Sequence, residues 1–150
     1  AYGPGQHIPK AHPPVIANFL KQAVQEGTLV IHNSGGQTRD YVFLDDVIRA
    51  MISAGTADNV DGEIINIGSG TEISVSELAG QVLELTGRSA EIIHNPKANG
   101  GVKRMCADLS KAKQLLGYQP RVSLNEGLRE TLERDSRYAV ENEEQGMKFP

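Results

Sequence analysis

The sequence contains one cysteine, no tryptophan and no long apolar run. The single thiol, Cys106, excludes an internal disulfide and a cluster of thiolates around a metal ion, and such sparing cysteine usage is typical of a reducing cytosol. A membrane-spanning helix needs roughly 18 or more apolar residues in succession, and no stretch approaches that length. No signal peptide is visible either. We therefore expect a cytoplasmic protein with no membrane partner.

Positive charge is also scarce. The 15 Lys and Arg residues are outnumbered by 19 Asp and Glu, which gives a net charge of −4. Because nucleic-acid backbones are bound by an excess of Lys and Arg, this balance argues against a broad nucleic-acid surface. The four histidines, His7, His12, His32 and His94, are widely spread, and none has a second His four residues away, as a zinc-binding helix requires. We predict no metal site.

What the sequence does contain is a series of short amphipathic segments with clear end signals. Short strands are predicted over 28–33, 39–44, 63–67 and 90–94. Five helices are predicted: one behind Pro14 and closed by Gly27, one capped by Asp45 or Asp46 and ending near Gly55, one behind a capping box at 74–77 and closed by Gly87, one capped by Asp108 and closed by Gly117, and one behind a capping box at 123–126. The pattern predicts an α/β domain of α+β-like character, with a sheet too small to be doubly wound.

The turn Gly68-Ser69-Gly70 follows a predicted strand, as a dinucleotide-binding turn does. That fingerprint needs a third Gly or Ala three residues further on, where this chain has Ile73, and the next helix starts only near Ser74. We therefore interpret the segment as a connection between a strand and a helix and not as a cofactor site.

Arg39 lies in the segment Gln37–Asp40, between a Gly-rich turn and an apolar strand. An Arg at such a junction is suited to holding a phosphate with both arms of its guanidinium. The alternative is a surface ion pair with Asp40 or Asp45, which would contribute little. The residue pattern alone leaves both interpretations open.

A second cationic pair, Lys103 and Arg104, follows the loop "NPKANGG". Two cations beside a loop are suited to an anionic ligand, although a solvated pair of charges is the commoner arrangement. Arg39 and Arg104 form one site only if the fold brings them together. Cys106, with no His nearby in the sequence, is interpreted as a small core residue.

Six segments carry a resemblance to a known family. They occur in the order "YGPGQ", "VIANFLKQA", "GGQTRDYVFLDDVIRAM", "NIGSGTEISVSELA", "RMCADLSKAKQLLGYQP" and "SLNEGLRETL". Together they resemble the C-terminal part of the extended short-chain dehydrogenase/reductases (SDRs), the NAD-dependent nucleotide-sugar epimerases and dehydratases. The resemblance implies a substrate-binding lobe over residues 1–135, without the Rossmann sheet, followed by a charged and frayed tail over 136–150.

The resemblance also implies roles for individual residues. Arg39, with Gln37 close by, corresponds to the family's Arg that binds the pyrophosphate of the nucleotide sugar. Arg104, with Lys103 beside it, corresponds to a second Arg of similar role.

Two further segments correspond to walls of the family's binding site. Val15 and Ile16 match the start of a helix that helps line the nucleoside pocket. Tyr2 and Pro4 match the loop that leaves the nicotinamide and sugar region, and are expected to lie near the cofactor.

The sequence departs from the family pattern at several places. "NSGG" stands where the family has a Gly-Asp-Gly type turn, and Lys97 or Ala98 stands where many members carry a further Arg. The family's catalytic Tyr-x-x-x-Lys pair is missing, because the residues four positions after the tyrosines are Gln6, Asp45, Val122 and Asn142.

We therefore expect the substrate-binding portion of a NAD-dependent nucleotide-sugar epimerase or dehydratase, gripping a nucleotide diphosphate sugar, with the main NAD site outside this chain and no turnover of its own. On this interpretation the opening "AYGPGQ" is not a natural beginning. One alternative is a stand-alone nucleotide-sugar binding module without chemistry. Another is a module that self-associates, for instance as a homodimer, through the face that a Rossmann half would cover.

Overall fold

A computed structural model describes residues 1–96 and 102–139. The helices are α1 (Val15–Lys21), α2 (Leu44–Thr56), α3 (Val75–Thr86), α4 (Ser110–Leu116) and α5 (Leu124–Arg134), and the strands are β1 (Thr28–His32), β2 (Thr38–Asp40), β3 (Glu72–Ser74) and β4 (Glu91–Asn95). A π-helical turn (Gln22–Glu26) prolongs α1, and a 3₁₀ turn (Ser136–Tyr138) follows α5. The prediction of a small α/β domain with five helices and a few short strands is confirmed.

The strands form two separate pairs. β1 and β4 are parallel, with Thr28 opposite Glu91. β2 and β3 are antiparallel, with Arg39 opposite Ile73. Within the two described ranges these pairs do not join into a larger sheet. In these ranges the strands thus form two small pairs in place of one central sheet, and β1 contributes Leu29 and Ile31 to the apolar core.

The predicted strands over 28–33 and 90–94 correspond to β1 and β4, whereas the other two predictions need correction. The strand predicted over 39–44 ends at Asp40, and no strand forms over 63–67; β3 forms at 72–74 instead. Ile65 and Ile67 are partly buried, while Ile64 is 85% exposed. The inward-facing apolar residues of this segment thus pack against α4, and the segment pairs with no strand of the described ranges.

Most helix ends follow the local signals. Both predicted capping boxes form: Ser74 Oγ accepts the Glu77 N–H at 3.1 Å, and Ser123 Oγ accepts the Glu126 N–H at 3.3 Å. Of the four predicted closing glycines, Gly55 lies within α2, which ends at Thr56, and the other three adopt a left-handed conformation, with φ of 67° at Gly27, 61° at Gly87 and 60° at Gly117. These positions favour glycine because a Cβ is strained there.

The predicted cap of α2 is wrong. The helix begins at Leu44, before either Asp45 or Asp46, and has no side-chain cap. Asp46 is instead buried, and its carboxylate accepts the backbone N–H groups of Arg121 (2.9 Å) and Val122 (3.1 Å). The carboxylate therefore joins α2 to the segment that leads into α5.

The predicted cap of α4 is displaced by one residue. The N-cap position is Leu109, and the helix starts at Ser110. The Asp108 carboxylate still accepts the Ser110 N–H at 2.9 Å and its hydroxyl at 2.7 Å. The predicted residue thus satisfies a free backbone donor of the first turn, although it is not the cap itself.

Two apolar clusters lie inside the chain. The large cluster draws on α1, β1, α3 and α5, and comprises Tyr2, Ile16, Phe19, Leu20, Ala23, Leu29, Ile31, Phe43, Val75, Leu78, Ala79, Val82, Leu128 and Tyr138. The small cluster joins α2 to α4 through Ala50, Ala112 and Tyr118, with Ile65, Ile67, Leu109 and Leu116 partly buried against it. Because Tyr138 is part of the large cluster, the packed unit reaches beyond the predicted boundary at residue 135. Residues 140–150 of the predicted tail lie outside the described ranges.

None of the helices in the described part of the chain combines the length and apolar character that crossing a membrane requires.

Candidate functional site

A cavity of about 350 Å³ lies beside the large cluster, between α1, β1 and β2. Three residues that the sequence analysis selected line it: Val15, Gln37 and Arg39. Its other walls come from Ala11, His12, Pro13, Asn18, Phe19, Val30, His32, Tyr41 and Val75. The cavity wall therefore combines apolar side chains with an equal number of residues that carry polar groups, and such a mixture can bind a small molecule.

Arg39 supplies the positive charge of the cavity. It is half-buried on β2, and its Nη1 donates to the carbonyl of Thr38 at 2.7 Å. In the part of the chain that the structure describes, no carboxylate forms an ion pair with Arg39, so the predicted alternative of a pair with Asp40 or Asp45 is not found. The guanidinium keeps donors that can bind an anion.

Tyr41 stands next to Arg39 in the cavity wall and was not identified from the sequence. Burial raises the pKa of its hydroxyl, and the charge of Arg39 acts in the opposite direction. The hydroxyl oxygen is buried and has no hydrogen-bond partner among the described residues. Its position two residues after Arg39 on an extended segment places both side chains on one face, and this spacing is the signal that could have found it.

Gln37 and α1 complete the cavity. The Gln37 side chain donates to the carbonyl of His32 at 3.3 Å, which ties the entry of β2 to the end of β1. Val15 is half-buried at the cavity, whereas Ile16 is 2% exposed and belongs to the large cluster. Of the two α1 residues predicted to line a nucleoside pocket, only Val15 is in the cavity wall.

Arg104 lies elsewhere. Its guanidinium forms a two-armed ion pair with the Glu72 carboxylate, with Nε donating to Oε2 at 3.2 Å and Nη2 to Oε1. The Thr38 hydroxyl donates to the same Oε2 at 2.7 Å. These hydrogen bonds, from Arg104 first, lower the pKa of Glu72.

The two arginines are on opposite faces of the β2–β3 pair. Side chains alternate along a strand, so Thr38 points away from the face that Arg39 occupies. Arg104 meets Glu72 on the Thr38 side, and its side chain is 78% exposed. Lys103 is exposed, and its carbonyl accepts the Thr38 N–H at 2.9 Å. The structure therefore does not bring Lys103 or Arg104 to the cavity. Lys97 and Ala98 lie outside the described ranges.

The predicted cofactor-side residues belong to the packing of the chain. Tyr2 is buried, its ring meets that of Phe43 edge-on with centroids 5.5 Å apart, and its hydroxyl donates to the carbonyl of Leu124 at 3.2 Å. Pro4 is half-buried in a turn, and the next N–H, that of Gly5, donates to Asp135 at 2.8 Å. Neither Tyr2 nor Pro4 lines the cavity that contains Arg39.

Asp40 is a connecting residue that the sequence analysis did not identify. Its carboxylate accepts the N–H groups of Ser69 (2.7 Å), Gly70 (3.0 Å) and Ala107 (3.1 Å). These donors lie far from Asp40 along the chain, so no local sequence pattern indicates them. Cys106, next to Ala107, is exposed, which corrects its interpretation as a core residue.

The Gly68-Ser69-Gly70 turn does not fit a dinucleotide. The N–H groups of Ser69 and Gly70, which would have to face a pyrophosphate, already donate to the Asp40 carboxylate. A Cβ at Gly68 would lie 2.5 Å from Asp40 Oδ2, so this glycine serves the close approach of the carboxylate. Within the described ranges, no three His, Cys, Asp or Glu side chains lie close enough together to hold a metal ion.

Known sequences resemble this chain over most of its length. The family described as GDP-mannose 4,6 dehydratase matches residues 1–131. A UDP-glucose 4-epimerase of Mycolicibacterium smegmatis is 36% identical over 132 residues, which are 88% of this chain and 42% of that protein. A UDP-N-acetyl-alpha-D-glucosaminuronate decarboxylase of Bacillus cytotoxicus is 34% identical over 125 residues, or 79% of this chain and 39% of that protein.

Solved structures share the fold as well. UDP-glucose 4-epimerase of Thermotoga maritima, determined with UDP-glucose, has a TM-score of 0.81 and 38% identity over 89% of this chain and 42% of its own. UDP-glucuronic acid 4-epimerase of Bacillus cereus, in complex with UDP-glucuronic acid and NAD, has a TM-score of 0.80 and 34% identity over 89% of this chain and 41% of its own. The chain thus spans about two fifths of the length of these relatives.

Proposed function

This chain belongs to the extended SDR family of NAD-dependent nucleotide-sugar epimerases and dehydratases, and on that premise we propose that it grips the nucleoside diphosphate of a nucleotide sugar. The observation that carries the proposal is the position of Arg39. A half-buried guanidinium without a carboxylate partner among the described residues lines a cavity that also presents apolar side chains, among them Val15 and Val30. A ligand with an anionic group and an attached ring system would match both the charge of Arg39 and the apolar side chains of the cavity.

Each wall of the cavity has a part in the proposed binding. Arg39 directs its planar fork to the phosphates, where two parallel charge-assisted hydrogen bonds fix their orientation. Val15, Phe19 and Val75 offer apolar surface to the nucleoside. Tyr41 adds wall surface next to Arg39, while its hydroxyl oxygen is buried. Arg104 is paired with Glu72 outside the cavity and has no part in this arrangement.

We further propose that the chain alone does not turn over a nucleotide sugar. No Tyr in the sequence stands four residues before a Lys, so the family's general base with its pKa-lowering partner has no equivalent here. The Gly-Ser-Gly turn does not fit NAD, and no hydride step is assigned to these residues. The redox step would belong to a cofactor-binding part outside this sequence.

Isothermal titration calorimetry with UDP, GDP, UDP-glucose and uridine tests this function. We expect binding of at least one nucleoside diphosphate and much weaker binding of uridine. Arg39→Gln should weaken diphosphate binding about tenfold to one-hundredfold, because it removes charge-assisted hydrogen bonds. The matched control, Arg104→Gln, makes the same change of charge outside the cavity and should have a small effect. Absence of heat with all four ligands, or NAD-dependent conversion of UDP-glucose by this chain alone, would refute the proposal.

A second candidate function, self-association, is favoured by an apolar strip on α2. Leu44, Ile48, Met51 and Ile52 recur at helical spacing and are exposed, Met51 at 69%. An apolar strip of this kind commonly marks a contact with a partner. Sedimentation velocity should then show a dimer that Met51→Glu dissociates and that the control Met105→Glu, on another exposed methionine, leaves intact. A monomer at all concentrations would exclude this candidate.

A further inference from the structure

The Asp40 carboxylate joins two distant segments to β2, on the face opposite the Arg39 side chain. Oδ1 accepts the Ser69 N–H at 2.7 Å and the Ser69 hydroxyl at 2.6 Å. Oδ2 accepts the N–H groups of Gly70 at 3.0 Å and Ala107 at 3.1 Å. A single side chain thus satisfies three backbone donors and one hydroxyl, which come from the turn before β3 and from the segment before α4.

Apart from Asp40, the short strand β2 is held by a side-chain hydrogen bond from the Thr38 hydroxyl to Glu72 at 2.7 Å and by a few backbone hydrogen bonds. β2 is three residues long and pairs with a β3 of the same length. On its other side, one backbone hydrogen bond joins Thr38 to Lys103 at 2.9 Å. A strand this short is held mainly by its side chains, since a three-residue ladder supplies few hydrogen bonds.

Arg39 depends on that backbone for its direction. It precedes Asp40 directly, so the two side chains leave opposite faces of β2. The Arg39 guanidinium donates to the carbonyl of Thr38 at 2.7 Å and is not in an ion pair with a carboxylate of the described residues. The orientation of the guanidinium in the cavity therefore follows from the placement of the strand.

We propose that Asp40 is a positioning residue: its carboxylate fixes β2 so that Arg39 meets the phosphates of a nucleoside diphosphate. The inference rests on the proposed function for the identity of the ligand. Asp40 itself does not line the cavity. Its contribution to binding passes through Arg39, and removal of the carboxylate leaves the apolar nucleoside walls in place.

A double-mutant cycle separates this role from a general contribution to stability. We expect Asp40→Asn to weaken UDP binding about tenfold, since small misplacements of a binding group are costly. Uridine binding, followed by NMR titration, should be unchanged. In an Arg39→Gln background, the same Asp40→Asn change should cause no further loss of UDP affinity. An equal loss for UDP and uridine, or an undiminished loss in the Arg39→Gln background, would overturn the proposal.

A second readout does not need a nucleotide. The Nε–H signal of Arg39 in ¹⁵N NMR spectra of the free chain reports the environment of its guanidinium. Asp40→Asn should shift or broaden this signal and increase amide exchange at Ser69, Gly70 and Ala107. If the unaltered chain binds no UDP, the proposed function fails, and the Arg39 signal alone then decides whether Asp40 positions the arginine.

If Asp40→Asn does not fold, Ser69→Ala serves as a milder variant for the same test. It removes one hydroxyl contact of Asp40 and leaves the three backbone donors. We expect a loss of UDP affinity of about twofold to threefold, less than the full value of one charge-assisted hydrogen bond because the effect passes through β2 to Arg39, together with a smaller shift of the Arg39 signal. A folded Ser69→Ala variant with unchanged UDP affinity and an unchanged Arg39 signal would contradict the positioning role.

Discussion

The large and the small cluster of this chain stabilise their surroundings by different means. The large cluster buries long apolar side chains, such as Phe19, Leu78 and Leu128, from several elements at once. The small cluster between α2 and α4 has two alanines and Tyr118 as its buried members. Around the small cluster, the linking contacts are polar ones: the Asp46 carboxylate on Arg121, and the Tyr118 hydroxyl on Gly68.

The candidate site is supported by both clusters in different ways. The cavity takes Phe19 and Val75 from the large cluster as walls, whereas Arg39 enters it from a short strand. That strand is connected toward the small cluster through the Asp40 carboxylate. The apolar half of the site therefore rests on a dense core, and the charged half rests on individual hydrogen bonds.

Truncating a core side chain of the large cluster should lower the free energy of unfolding more than any of the other substitutions. Leu78 is fully buried, so Leu78→Ala should lower the free energy of unfolding by about 2–5 kcal/mol through lost burial and a cavity. Leu116→Ala, at the edge of the small cluster, should cost about 1 kcal/mol, since Leu116 is only partly buried. Urea denaturation of both variants measures the difference. Equal losses would mean that the two clusters do not differ in the way described.

A smaller effect is expected at the carboxylate beside the small cluster. Asp46→Asn should destabilise the chain by about 1–3 kcal/mol, because one of two buried acceptor oxygens is replaced by a donor facing a backbone N–H. The neighbouring Asp45→Asn is the control and should change the free energy of unfolding by about 0.5 kcal/mol or less. The same urea titration compares them. If Asp46→Asn left the free energy of unfolding unchanged, these polar contacts would not be needed for stability.

The smallest effect concerns Tyr118, whose hydroxyl donates to the carbonyl of Gly68 at 2.7 Å. Tyr118→Phe should cost about 1 kcal/mol at neutral pH. Burial, and then the charges of Asp46 and Asp40, raise the pKa of Tyr118 to about 12. Because the folded chain holds this proton more tightly, the stabilisation is complete below the ordinary pKa of about 10 and is lost as the pH rises through the folded pKa.

Denaturation at a series of pH values tests the Tyr118 prediction. The stability difference between the unaltered chain and Tyr118→Phe should be constant from pH 7 to about pH 9 and should shrink as the pH approaches the raised pKa. A difference that stays constant up to the raised pKa of about 12 would contradict the assignment.

Local signals predicted the helices well, and long-range contacts were the source of the errors. The capping boxes at Ser74 and Ser123 depend on residues three positions apart, so the sequence contains all the information they need. The strand expected over 63–67 is wrong because strand formation depends on a partner, and the partner of β2 is the segment 72–74.

The candidate site was predictable to the same degree. Arg39, Gln37 and Val15 follow from short motifs, and the structure brings them to one cavity. The family resemblance gives Arg104 a role similar to that of Arg39, but in the structure Arg104 is held outside the cavity by its pair with Glu72, 32 residues away in the sequence. The opposite faces of Thr38 and Arg39 on an extended strand were a usable signal for this separation.

We expect a nucleoside diphosphate to bind in the cavity around Arg39 and not at the surface around Arg104. Titration of the ¹⁵N-labelled chain with UDP, followed through its backbone amide signals, distinguishes the two places. The largest shifts should occur at Val15, Asn18, Gln37 and Arg39, with small shifts at Glu72 and Arg104. The largest shifts at Glu72 and Arg104, or no shift at a saturating concentration of UDP, would contradict this expectation.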